Sequence, residues 1–326
     1  MKILITGSSG FIGSHLVEHF VSKGFKIVAF DRYNSNNDLG WLEKSKFKSK
    51  INFILGDIRD YDSVYKSMKG CSAVIHLAAL IGIPYSYFSP TAYIKTNLEG
   101  TFNVLESAKN LRINQVIITS TSEVYGTAKR KSLKETDSLS AQSPYAASKI
   151  AADQLALSYF RSFNLPVKII RPFNTFGPRQ SLRAVIPTII SQIIKNKNGI
   201  IKVGNSKVTR DFIYVEDLCF AYEQILKSKK LFGEVINVGS NFEISLNQIA
   251  KRASQILNKK YKIISERKRM RPRKSEVHRL RCDNSKIKKF TKWSQKYSFE
   301  NGLQKFIEWL KKEENLKQLK INEYNI

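Results

Sequence analysis

The run Lys2–Thr6 (KILIT) ends abruptly in Gly7-Ser8-Ser9-Gly10-Phe11-Ile12-Gly13, and this junction restricts the fold more than any other stretch of the chain. Continuous apolar character over so few residues fits a strand buried on both faces, as in a parallel sheet. Phe11, Ile12, Leu16, Val17 and Phe20 then recur at helical spacing, which predicts a helix over Phe11–Lys23. The turn between them uses its glycines for separate reasons. Gly7 permits a tight reversal, Gly10 lets main chain approach a pyrophosphate, and Gly13 lets the helix sit close on the strand. The helix N-terminus adds N–H groups and a positive dipole end that favour an anion. Ser9, Phe11 and Ile12 complete the turn and are expected contacts of the same ligand.

The strand–helix rhythm continues. Lys26–Phe30, Ile51–Leu55, Ala73–Leu77, Gln115–Ser120 and Val167–Arg171 read as strands, with helices over Tyr61–Met68, Thr91–Asn110 and Tyr145–Phe163. This alternation predicts an α/β fold, a doubly wound parallel Rossmann sheet. After Arg171 the rhythm loosens. One amphipathic helix, Pro187–Lys197, is followed by Arg210–Val215 leading into a helix. Val235–Val238 reads as another sheet strand, and a Lys/Arg-rich end carries a helix near Asn301–Lys312. The expected division is residues 1–172 plus about 208–254 for the sheet domain, with a smaller, interleaved C-terminal lobe from about 173–207 and 255–326.

Charge needs a separate explanation, because 55 Lys+Arg against 27 Asp+Glu leaves +28. The lysines are scattered, and no basic stripe with interleaved aromatics marks a nucleic-acid face. A solvated basic surface that also draws in phosphorylated ligands is the better reading. Three cysteines form an odd set without metal spacing, which argues against a disulfide framework and for a reducing compartment. His15 and His19 share a helix face but have no third ligand nearby, so no metal site is expected. Met1–Thr6 is too short and too soon interrupted for a signal peptide, and no stretch reaches the length of a membrane span. A soluble cytoplasmic protein without a membrane partner is the expectation.

Asp31 ends the second strand about twenty residues beyond the glycine turn, where a carboxylate accepts hydrogen bonds from a ribose diol and repels a 2′-phosphate. This favours NAD over NADP, although the adjacent Arg32 weakens the preference. Asp57 and Ile58, and Leu77, Ala78 and Ala79, follow later strands at the same sheet edge. Tyr145 and Lys149 lie four apart, hence on one helix face, and a nearby cation favours a phenolate. With the positive nicotinamide, Lys149 is expected to draw the Tyr145 phenol toward neutral pKa, so that it can take a proton from a substrate hydroxyl. Thr121, Ser122 and Glu123 follow a buried strand and project into that crevice; Thr121 can bond the reacting hydroxyl, and Glu123 adds a carboxylate.

The segments TGxxGFIG (Thr6–Gly13), the Thr/Ser–Tyr145–Lys149 set, Arg171-Pro172-Phe173-Asn174 and Arg210–Val215 together resemble the extended short-chain dehydrogenase/reductases called NAD-dependent epimerase/dehydratases. The likeness covers nearly the whole chain. Thr121–Gly126, Asn174–Ser181 and Arg183–Pro187 look most like sugar-nucleotide 4,6-dehydratases, among them the enzymes that open the legionaminic-acid branch of nonulosonate synthesis on a nucleotide-linked N-acetylglucosamine. The resemblance implies that Glu123 takes the C5 proton after C4 oxidation. Where dTDP-glucose enzymes place an Asp before that Glu, this chain has Ser122, so Glu123 is expected to pass one proton from C5 to the departing water. Asn174, Arg210 and Arg271 match residues that contact the nucleotide-diphosphate sugar, with Arg179 and Arg183 as further candidates. The resemblance also implies a homodimer through Leu98, Phe102, Leu105, Ala151, Leu155 and Tyr159. UDP-glucuronate decarboxylase and 4-epimerase stay open as alternative activities. From another class, a non-catalytic dinucleotide-binding regulator is opposed by the intact Thr121, Glu123, Tyr145 and Lys149.

Overall fold

The computed structural model describes residues 1–195 and 199–317. In chain order its strands are β1 (Lys2–Thr6), β2 (Lys26–Arg32), β3 (Ile51–Gly56), β4 (Ala73–His76), β5 (Gln115–Thr119) and β6 (Val167–Pro172), then β7 (Asn174–Phe176), β8 (Ile200–Val203), β9 (Thr209–Tyr214), β10 (Val235–Val238), β11 (Glu243–Ser245) and β12 (Lys262–Ser265). Seven of these form one sheet in the order β10-β6-β5-β4-β1-β2-β3, all parallel. The order reverses between β1 and β4, which opens a crevice at the carboxyl edge of the sheet.

The apolar runs do what parallel strands require. Ile3 and Ile5 of β1 face a core shared with the helices Phe11–Ser22 and Val215–Lys227, while Leu4 points into the opposite core with Val74, Val104 and Val116. Both faces are dry, so polar alternation has no place in these strands.

A second core lies beside the sheet. It joins Phe176, Ile189, Ile190, Phe212, Ile244, Ile249, Leu303 and Phe306. Here β9 pairs with β7 in parallel and with β11 in antiparallel fashion, and β12 pairs with β8. The piece expected at about 208–254 in the sheet domain is divided by this arrangement. Helix Val215–Lys227 and β10 pack with the large sheet, whereas β9, β11 and helix Leu246–Leu257 build the smaller lobe. The last two residues of the expected helix Pro187–Lys197, and the end of the expected lobe beyond 317, lie outside the described residues.

The helix expected over Thr91–Asn110 is divided into three segments: α-helix at Pro90–Tyr93, a widened π-helical stretch at Ile94–Glu99, and α-helix again at Gly100–Asn110. The widened stretch directs Asn97 inward. Its side chain accepts from Leu80 N (2.8 Å) and donates to Leu80 O (2.9 Å) and Ser148 Oγ (3.0 Å). Among the described residues no helix is long and apolar enough to cross a membrane.

Candidate active site at the carboxyl edge of the sheet

Two glycines of the first turn admit no other residue without displacing backbone. Gly7 has φ +68°, and a Cβ there would stand 2.8 Å from Ala78 N; a Cβ on Gly13 would stand 2.1 Å from Gly7 O. The turn is thus pressed against the end of β4, where Thr6 Oγ1 accepts from Leu77 N and Ala78 N, each at 3.2 Å. Phe11 and Ile12 pack on the sheet core. Asp31 lies beside the turn: Ser9 N donates to its Oδ2 at 2.6 Å and Arg32 N to its Oδ1 at 2.7 Å. Gly10 carries no side chain between this loop and the crevice, so the glycine turn, the following helix and Asp31 fit a dinucleotide on chemical grounds. Asp57 has a different neighbour, because Arg59 holds it through Nε (2.9 Å) and Nη2 (2.5 Å) and keeps the carboxyl below its usual range. Ile58 is buried next to Gly100.

Under this loop sits His76, the last residue of β4. Its ring bonds Thr6 Oγ1 (2.8 Å) and Thr101 Oγ1 (3.2 Å), and burial, aided by Lys149, pushes its pKa down to about 3. His15 behaves similarly, lowered to about 4 by burial and by Arg179. Both folded-state values are depressed, so below pH 6.5 the unfolded chain binds protons that the folded chain refuses. Stability is therefore lost as pH falls from about 6.5 toward 4. Each ring should cost about 2 kcal/mol between pH 7 and pH 5. Asp211, raised to about 6 by burial, offsets part of this. Urea unfolding across that range tests the point, and His76→Gln should flatten the slope.

The reacting groups expected from sequence do converge. Tyr145 is buried and its phenol bonds the Thr121 side chain; the edge of its ring meets Tyr93 at 6.2 Å between centroids. Thr121 also caps the short turn Ser122–Tyr125, accepting from Glu123 N at 3.2 Å. Without the nicotinamide charge on which the expected lowering also depends, burial together with the Glu123 charge holds the Tyr145 phenol well above its ordinary pKa despite the Thr121 bond, while the Lys149 ammonium donates to Thr119 O at 2.5 Å. Lys149 itself falls to about 8 through burial, held partly up by Asp153.

Glu123, Arg210 and Arg271 come together although 61 residues separate the two arginines from each other in sequence and still more separate them from Glu123. Arg210 Nε lies 4.0 Å and Arg271 Nη1 lies 3.8 Å from the Glu123 carboxylate. Two more residues belong to this cluster and carry no motif that would reveal them. Glu276 faces Arg210 at 3.6 Å and Arg271 at 3.9 Å, and Tyr87 approaches from the other side, bonding Ser275 Oγ at 2.6 Å. Asn174 starts β7, opposite Phe212 of β9. Arg183 is exposed, and its charge reaches the Tyr93 phenol. Arg179 is placed differently from the other candidates: its guanidinium donates to Glu18 on the first helix at 2.8 Å. Ser122 is buried in the turn it shares with Glu123.

Comparison with known proteins agrees with this geometry. The chain is 37 % identical over 275 residues to a dTDP-D-glucose 4,6-dehydratase of Dictyostelium discoideum, an alignment covering 78 % of this chain and 62 % of that protein's length. A dTDP-glucose 4,6-dehydratase from Streptomyces venezuelae, solved with NAD bound, superposes with TM-score 0.88 at 26 % identity, covering 98 % of this chain and 99 % of that one. A UDP-glucuronic acid 4-epimerase from Bacillus cereus, in complex with UDP-glucuronic acid and NAD, superposes with TM-score 0.86 at 28 % identity over 95 % and 99 % of the two chains. Residues 4–306 match the family described as GDP-mannose 4,6 dehydratase, and the chain belongs to that family, with the NAD-dependent epimerase/dehydratase fold of the extended short-chain dehydrogenase/reductases.

Proposed function

We propose that the protein is an NAD-dependent 4,6-dehydratase that converts a nucleotide-linked N-acetylglucosamine into its 4-keto-6-deoxy form. The observation that carries this reading is the buried Glu123 carboxylate in the same crevice as the Thr121–Tyr145 pair. Oxidation and reduction alone need no second proton carrier; elimination does. NAD, when bound against the glycine turn and Asp31, supplies the hydride acceptor and donor.

The chain's own groups do the rest. Thr121 holds the C4 hydroxyl, and Tyr145, whose phenol would ionise with the positive charge that bound NAD brings beside it, takes its proton. Lys149, anchored on Thr119 O, contributes positive charge beneath the phenol. Once C4 is a ketone, the C5 hydrogen is acidic. Glu123 removes it and returns it to the C6 hydroxyl, which leaves as water; the hydride taken from C4 is then added at C6 while C5 takes up a proton, which gives the 4-keto-6-deoxy sugar. Arg210 and Arg271 receive the diphosphate, with Asn174 beside the sugar-nucleotide. The two carbon positions involved are adjacent, so one carboxylate can serve both.

A homodimer belongs to the same proposal. The exposed Ile94 and Phe102, with Leu98 and Ala151, form its contact face. Leu105 and Tyr159, which the family resemblance placed there, are instead buried within one chain.

Incubation with UDP-, GDP- and dTDP-sugars followed by mass spectrometry tests the activity. The expected product is an N-acetylglucosamine nucleotide lighter by one water. An isobaric product would make the protein a 4-epimerase, the activity of the superposed Bacillus cereus enzyme, and loss of carbon dioxide from UDP-glucuronate would make it a decarboxylase.

A further inference from the structure

Arg210 and Arg271 each stand between two carboxylates. Arg210 is 4.0 Å from Glu123 and 3.6 Å from Glu276; Arg271 is 3.8 Å from Glu123 and 3.9 Å from Glu276. None of the four contacts closes to the roughly 2.7–2.9 Å of a charge-assisted hydrogen bond. Elsewhere in this chain a guanidinium does close: Arg279 grips Glu243 through Nε and Nη2 at 2.5–3.0 Å. The difference is the competing carboxylate. A guanidinium pulled from two sides settles between them, and Arg271 Nη1 is left buried without a hydrogen-bond partner.

The main chain that carries Glu276 is held in place. Its carbonyl and that of Lys274 accept from Gln142 Nε2 at 3.2 and 3.1 Å, and the adjacent Ser275 is bonded by Tyr87 and by the Gln142 carbonyl. Gln142 is tied in turn to Thr127, whose N–H donates to it at 2.6 Å. The strap carrying Arg271 and Glu276 is therefore fixed over the crevice.

Two positive and two negative groups give a balanced set. A diphosphate entering this set must take guanidinium groups that Glu276 already faces. We propose that Glu276 is a positioning residue that stands in for the substrate diphosphate: it balances Arg210 and Arg271 before substrate arrives, prevents them from closing on Glu123, and yields them when a nucleoside diphosphate binds. This inference rests on the roles given above to Glu123 and the two arginines.

It has an unusual consequence. Removing the Glu276 charge should strengthen nucleoside diphosphate binding and weaken catalysis together, because the freed arginines serve the diphosphate better but also tie down Glu123. Glu276→Gln is expected to lower the calorimetric Kd for UDP, GDP or dTDP about tenfold and to lower kcat about tenfold, with KM falling as well. A residue that merely braced the loop would weaken binding and turnover alike. Glu276→Asp, which keeps the charge, is expected to restore both quantities to within about threefold of the original enzyme. Weaker diphosphate binding by Glu276→Gln, an unchanged kcat, or failure of Glu276→Asp to restore either quantity overturns the inference alone. If the unsubstituted protein binds none of the three nucleoside diphosphates, the inference and the proposed function fall together.

Discussion

Glu123→Gln is expected to stop loss of water, lowering turnover by about two to four orders of magnitude, while NAD and a nucleoside diphosphate remain bound. The amide matches the carboxylate in size but cannot accept the C5 proton. The bonds beneath Glu123 have little reason to move. Arg210 and Arg271, by contrast, lose one of the two carboxylates between which they stand and are drawn toward Glu276, so the nucleoside diphosphate should bind somewhat more weakly without being lost. Glu123 N still donates to Thr121 Oγ1, and Arg210 keeps its bond to Thr209 O at 3.0 Å and its facing carboxylate on Glu276. Tyr145, bonded to Thr121 rather than to Glu123, should still take the C4 proton, so the variant should stall after oxidation. Mixing it with the sugar nucleotide under single-turnover conditions should show the absorbance of reduced cofactor persisting without a dehydrated product. Turnover within tenfold of the original enzyme would falsify the proton-carrying role of Glu123.

Asp153→Asn should be the most destabilising conservative substitution near the site, costing about 3–5 kcal/mol, because it strands the charge of a fully buried partner. Arg171 Nε donates to Asp153 Oδ2 at 3.0 Å, and both side chains are almost wholly inaccessible. From Arg171 the polar chain continues to the partly buried Glu135. Its Nη1 donates to Tyr125 Oη (2.9 Å), Tyr125 donates to Asn237 Oδ1 (2.7 Å), and Asn237 N donates to Glu135 Oε1 (2.8 Å). An uncompensated guanidinium would disturb that string as well as the support of Lys149. Urea unfolding at neutral pH measures the loss. Replacing both partners, Asp153→Leu with Arg171→Met, should recover much of it, since a dry apolar pair pays no desolvation cost. A single variant within about 1 kcal/mol of the original would show that the pair is not the burden its burial implies.

Sheet and first turn were legible because their signals are local. An apolar strand, three glycines and a helical stripe occupy the nineteen consecutive residues Lys2–Phe20, and each step has its own steric reason. The smaller lobe gave weaker signals. Its strands β7 and β11 are three residues long, and β8 and β12 four, too few for a period to show; they exist because distant segments pair. Helix Leu246–Leu257 could have been read, for Ser245 and Gln248 form a capping box three residues apart. In the site, Tyr145, Lys149 and Glu123 were found through motifs, but Glu276, Tyr87 and Gln142 act only through contacts between loops. The height of the Tyr145 phenol pKa in the chain alone was not legible either: four residues of spacing place two groups on one face, yet spacing says nothing about how dry that face is.

The widened turn at Ile94–Glu99 makes residue count in that rod a functional quantity. It resets the rotational phase of everything downstream, so Asn97 can clasp the Leu80 backbone while Thr101 meets His76. Losing one residue there would restore an ordinary pitch and swing the following side chains by about 100°. The hydroxyl beneath His76 would then leave, and the clasp beside Ser148 would open. Substitutions in this rod are local events; a change in its length is a rotation applied to the floor of the crevice.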